Sequence, residues 1–132
     1  MVRRCGGFTL LEVMMVMVIV SILVTLSAPR LFGSRQIWYL ATLQSDLKNF
    51  VLAQEQYFIT FDEYGSSNDV IAADMFDATN GVTLVTGVAT ATGFNATATH
   101  AMLGAEGTCG VYVGDAAKPD PSLGGEGDVG CY

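Results

Sequence analysis

Apolar residues run almost without interruption from Phe8 to Ala28 and stop at Pro29. About 21 residues rising ~1.5 Å each make a helix of about 31 Å, close to the hydrocarbon thickness of a bilayer. The pattern then changes rather than ends. Leu40, Leu43, Leu47, Phe50, Gln54, Tyr57 and Phe61 recur at steps of three and four, with Asp46, Lys48, Asn49 and Glu55 between them. Such spacing predicts an amphipathic helix, wet on one side and packed on the other. Pro29 removes one backbone hydrogen bond and crowds the preceding turn, so a kink or local unwinding is expected near residues 25–33, helped by Gly33. A helix from Thr9 to about Phe61 would be roughly 80 Å long. A domain of this size cannot bury such an element, so its first half must be used between molecules.

Beyond Phe61 the turn residues Asp62 to Asp69 end the helix, and Val70 to Phe76 reads as a short helix capped by Asp69. From Gly81 apolar alternation replaces helical spacing. Val82–Thr86 is a candidate strand, Gly87 to Gly93 a connection or ragged hairpin, and Phe94 to His100 a strand with Phe94, Ala96, Ala98 and His100 on one face. Gly110–Gly114 is a further strand, starting just after Cys109. Three or four antiparallel strands laid over the helical stripe give an α+β fold with a workable small core.

One ionisable residue, Glu12, sits inside the apolar run. At mid-span a charge costs roughly 2.5–3.5 kcal/mol on insertion scales, so it asks for a partner. The flanks decide what kind of segment this is. A secretory signal places small residues and a cut after its apolar core, whereas here Gly6 and Gly7 stand before it, next to Arg3 and Arg4. A cut between Gly7 and Phe8 would remove the basic leader and leave the apolar helix on the mature protein. A simple uncleaved anchor, with Arg3 and Arg4 held inside by the positive-inside bias, leaves both the paired glycines and Glu12 without a reason.

Gly7-Phe8-Thr9-Leu10-Leu11-Glu12 followed by an apolar helix resembles the class III leader and N-terminus of type IV pilins and pseudopilins. Glu12 falls at the fifth position after the expected cut and Pro29 at the twenty-second, where that family commonly has Glu and Pro. The resemblance implies cleavage after Gly7 by a prepilin peptidase, N-methylation at Phe8, and assembly of the helices into a filament core. In that core Glu12 meets the terminal amine of a neighbouring subunit. Phe8 and Glu12 are four residues apart and share a helix face, and an amine beside a carboxylate in a low-dielectric bundle is strongly favoured. The resemblance further implies a pilin-like layout, with residues 1–7 a leader, 8–29 a transmembrane and filament-core helix, 30–61 an amphipathic half and 62–132 a globular β domain.

Charge and cysteines fit an exported domain. The formal charge is −7, and losing Arg3 and Arg4 takes it to −9; beyond Phe61, Lys118 is the one base against ten acids. Nucleic-acid binding by the exposed part is disfavoured, because phosphate contacts need Lys and Arg. Cys5 would leave with the leader, so the mature chain holds Cys109 and Cys131, an even pair that reads as a disulfide bounding a C-terminal loop. Closing about 23 residues stabilises by roughly 3 kcal/mol in the chain-entropy model. Metal binding is the competing use of the pair, but the chain has one histidine and no Cys-x-x-Cys. The tail from Asp115 has too little apolar content to fold unaided and would be pinned by that bond.

No catalytic site and no cofactor is expected, since phosphate loop, nucleophile elbow and His-Glu-x-x-His motifs are all missing from the sequence. His100 reads as a partly buried structural residue. Asp115, Asp120, Glu126 and Asp128 offer oxygens of the kind Ca²⁺ takes, with solvated loop acids as the default, so no metal site is assigned. Asn95-Ala96-Thr97 fits a glycosylation sequon. The expectation is therefore a type IV pilus subunit, made as a single-pass inner-membrane precursor and then moved to a surface fibre for motility, adhesion or DNA uptake. Its partners would be other copies of itself, the peptidase, the assembly machinery, minor pilins and the membrane before assembly. A type II secretion pseudopilin is the near alternative, and a helix-tethered binding protein or enzyme the distant one.

Overall fold

The computed structural model describes residues 7–104 and 107–132, with backbone alone for residues 26–34. The chain divides after Arg35 into two compact units. Helix α1 (Leu10–Phe61) contributes to both. Among the described residues no helix is long and apolar enough to cross a membrane. The apolar stretch with described side chains, Leu10–Thr25, spans about 24 Å. Leu26, Ser27 and Ala28, which complete the expected span, have side chains outside the described residues. Helical backbone continues through Pro29, without the unwound turn the sequence allows there; its side chain too lies outside the described residues.

In the second unit, the expected stripe packs on a sheet of four antiparallel strands, β1 (Val82–Ala89), β2 (Gly93–His100), β3 (Thr108–Gly114) and β4 (Gly130–Cys131), in the order β1-β2-β3-β4. Leu43, Leu47, Phe50, Ala53 and Gln54 are buried, Leu40 and Tyr57 half-buried. Phe61, in the last turn, is exposed and stacks on Tyr57 at 4.3 Å instead of joining the core. The alternation expected for β2 holds, with Phe94, Ala96, Ala98 and His100 all buried. The small alanines leave room for larger partners, and Phe50 sets its ring edge-on to both Phe94 and Phe76, at 6.0 and 5.2 Å.

Four local expectations are corrected. Asp46 is not on the wet face: it lies three residues from Leu43 and four from Phe50, so it turns inward. There its carboxylate accepts the Thr79 N–H and hydroxyl, both at 2.9 Å. The short helix α2 is Ser67–Ala72, not 70–76. Its N-cap is Ser66, and Asp69 is the reciprocal member of a capping box rather than the cap. Strand β1 does not end at Thr86 but continues through a bulge at Gly87, because Asn95 Oδ1 accepts the Val88 N–H at 2.9 Å. A Cβ on residue 87 would stand 2.7 Å from that oxygen, so a larger residue there would displace the Asn95 side chain from its bond to Val88. Strand β3 starts at Thr108 and takes Cys109 into the sheet.

The Cys109–Cys131 disulfide joins directly opposed positions of β3 and β4. The tail it pins is further held by backbone and by its one cation. Lys118 Nζ donates to the Leu123 and Gly124 carbonyls at 3.1 and 3.0 Å and lies 5.2 Å over the Tyr112 ring. The Leu123 side chain is buried.

Where α1 gives way to α2, buried Gln54 clamps the two peptide groups that flank Gly65, donating to the Gly65 carbonyl at 2.6 Å and accepting its N–H at 3.0 Å. Tyr57 lies against Gly65 so closely that any Cβ there would meet its ring at 2.9 Å. Gln54→Leu keeps the volume but strands both backbone groups, at a cost of about 2–4 kcal/mol. Urea unfolding of the full chain in detergent should show that loss, with exposed Gln56→Leu as a control within about 0.5 kcal/mol of wild type. Burial first, then the hydrogen bond to Glu55 at 3.1 Å, raises the Tyr64 phenol above its usual range. The stabilisation is full below about pH 10, where an unfolded tyrosine titrates, and is lost as pH rises through the higher folded value. Tyr64→Phe should therefore flatten the fall in melting temperature between about pH 9 and 11.

Candidate assembly site

The first unit is an apolar helix start with one acid. Thr9 precedes α1, and its hydroxyl and carbonyl both accept the Glu12 N–H, at 3.3 and 3.1 Å. Its carbonyl also accepts from Val13 at 3.3 Å. Gly7 and Phe8 lie outside the helix, and Phe8 is 81% exposed. Leu10, Leu11, Val13, Met14, Met15, Val16 and Met17 are all exposed too. Such a surface is stable only against lipid or other chains.

Polar groups further along this segment are satisfied locally. Ser21 Oγ donates to the Met17 carbonyl and Thr25 Oγ1 to the Ser21 carbonyl, both at 2.7 Å. Glu12 differs: its carboxylate is exposed and accepts no hydrogen bond among the described residues. With Phe8, Val13, Val16 and Met17 it lines a shallow apolar groove. Phe8 and Glu12, singled out in the sequence, thus flank one groove. The leader residues Arg3, Arg4, Cys5 and Gly6 lie outside the described residues.

The other candidates are occupied by packing. His100 Nδ1 accepts the Met102 N–H at 3.1 Å and its ring stacks on Tyr39 at 4.3 Å. Asn95 of the sequon spends its amide on the Ala117 carbonyl at 2.7 Å, besides the bulge bond. The four tail acids each serve a different donor: Asp115 the Thr92 hydroxyl, Asp120 the Ser122 N–H, Glu126 the Gly114 N–H and Asp128 the Gly125 N–H. The Ser122 hydrogen bonds pull the Asp120 carboxyl below its usual range. Among the described residues no group of three or more His, Cys, Asp or Glu is placed to hold a metal ion. Thr9, Gln54 and Lys118 carry structural roles that sequence reading passed over. For Thr9 the signal was present, as Thr-x-x-Glu before an apolar run.

A family model for the prokaryotic N-terminal methylation motif matches residues 2–28. The chain carries a class III signal of the type IV pilin and pseudopilin kind. No curated protein matches the chain. The motif covers the apolar helix start, Thr9 and Glu12, and implies processing by a prepilin peptidase.

Since its carboxylate accepts no hydrogen bond among the described residues, Glu12→Gln should leave unfolding of the detergent-solubilised chain unchanged within about 0.5 kcal/mol. A larger loss would mean that Glu12 stabilises its own chain.

Proposed function

We propose that this chain is the structural subunit of a type IV pilus, inserted as a membrane precursor and built into a surface filament through its N-terminal helix. One observation supports this above the rest: a carboxylate, Glu12, that has no partner among the described residues, on an exposed apolar helix within an N-terminal methylation motif. The segment 8–29 crosses the membrane, with residues 26–28 completing the length. Cleavage after Gly7 frees the Phe8 amine, which is then methylated. That amine pairs with Glu12 of a neighbouring copy. At an effective dielectric of about 20 and about 4 Å separation, the attraction is roughly 4 kcal/mol. Because it acts at one place on an otherwise uniform apolar surface, it sets the axial register between helices.

The acidic second unit forms the outer, solvated part, where like charge keeps finished fibres soluble. The Cys109–Cys131 bond, which bounds the tail, favours a pilin over a secretion pseudopilin. The motif supports a structural subunit rather than an enzyme.

Terminal sequencing of sheared surface material should find fibres whose subunits start at methylated Phe8. Glu12→Ala should insert and be cut normally, while fibre yield falls at least about tenfold, given the size of the lost attraction. Fibres of normal abundance from that variant would refute the proposal. Retained function after exchanging residues 8–29 for an unrelated span would favour a tethered binding protein.

A further inference from the structure

The helix starts at Leu10, the third residue after the expected cut, and Thr9 is what starts it there. Its hydroxyl and carbonyl take the first inward-facing N–H groups, those of Glu12 and Val13, which is the bonding of an N-cap. Gly7 and Phe8 are left outside the helix, and a Cβ built on Gly7 would meet nothing within 4 Å. Among the described residues, the Gly7–Phe8 peptide is therefore free of helical hydrogen bonds and of crowding. Proteolysis selects such backbone, because a helical peptide has its N–H and C=O engaged and must unfold locally before it can be bound.

We propose that Thr9 is the positioning residue for processing of this chain: its hydroxyl caps α1 so that the helix stops short of the scissile Gly7–Phe8 bond. The inference rests on the prepilin reading above. In the cut itself the Gly7–Phe8 C–N bond breaks and water divides between the two ends, hydroxide to the Gly7 carbonyl carbon and proton to the Phe8 nitrogen. Thr9 touches none of these atoms and acts through the conformation of the chain. What matters is then the acceptor oxygen, not the shape of threonine. Ser and Asn can accept the same N–H, whereas Val has the shape of Thr and no acceptor. Without the cap the helix start is spread over neighbouring residues, and the bond is presented in one defined way only part of the time.

The test is cleavage of the full-length membrane precursor by a prepilin peptidase, comparing wild type with Thr9→Val, Thr9→Ser and Thr9→Asn at equal insertion. The expected result is a rate about fivefold lower for Thr9→Val, with Ser and Asn within about twofold of wild type. Thr9→Val cut at the wild-type rate overturns the proposal. So does a slow Thr9→Asn beside a slow Thr9→Val, since the peptidase then reads the threonine itself. Wild-type chain left uncut between Gly7 and Phe8 overturns the prepilin reading as well, which keeps the two failures apart.

Discussion

A carboxylate on an apolar helix is the constraint around which the N-terminal unit is arranged. Every other described polar side chain in that unit before residue 26 has its hydrogen bond within the segment: Thr9 caps the helix, and Ser21 and Thr25 bond back one turn. Glu12 alone has no such bond among the described residues. Apolar contacts favour association but discriminate poorly between one axial position and the next, because a surface of Val, Met, Ile and Leu offers similar packing at each. In the proposed filament, a single charge whose desolvation is costly unless a counter-charge is met would turn that indifferent surface into one with a preferred register.

The second unit answers a different need, holding a long helix against a small sheet with few residues to spare. Small Ala96 and Ala98 on β2 share the core with Phe50, and polar side chains taken inside the helix face find partners there: Asp46 on Thr79, and Gln54 on Gly65. These bonds tie the helix to the loops that follow it, so the exposed helix face is left for contacts outside the unit. The tail, too poor in apolar residues to fold by itself, is held by the disulfide, by Lys118 and by the buried Leu123.

Much of this was legible in the chain because it depends on periodicity. The step of three and four from Leu40 to Tyr57 and the alternation of β2 are local signals, and both match the packing found. What escaped was decided by partners distant in sequence. Asp46 looked solvated until Thr79, 33 residues on, supplied two donors. Gly87 looked like a turn until Asn95 filled the bulge. Asp69 looked like a cap because an acid before an apolar run commonly is one, yet Ser66 three residues earlier completes the box. Spacing placed Phe8 and Glu12 on one helix face, but Phe8 lies outside the helix, and the two instead line one groove. The capping bond of Thr9 was readable in principle, though its hydroxyl is inconspicuous beside the acid it precedes.

The central claim is that the Phe8 amine of one copy meets the Glu12 carboxylate of another. Solid-state NMR on fibres assembled from a mixture of copies, some labelled with ¹⁵N at Phe8 and others with ¹³C at the Glu12 carboxyl, measures that contact directly. A dipolar coupling between the two labels, corresponding to about 4 Å, is the result the account predicts. Coupling that occurs only when both labels sit on the same copy, or none at all, would contradict it.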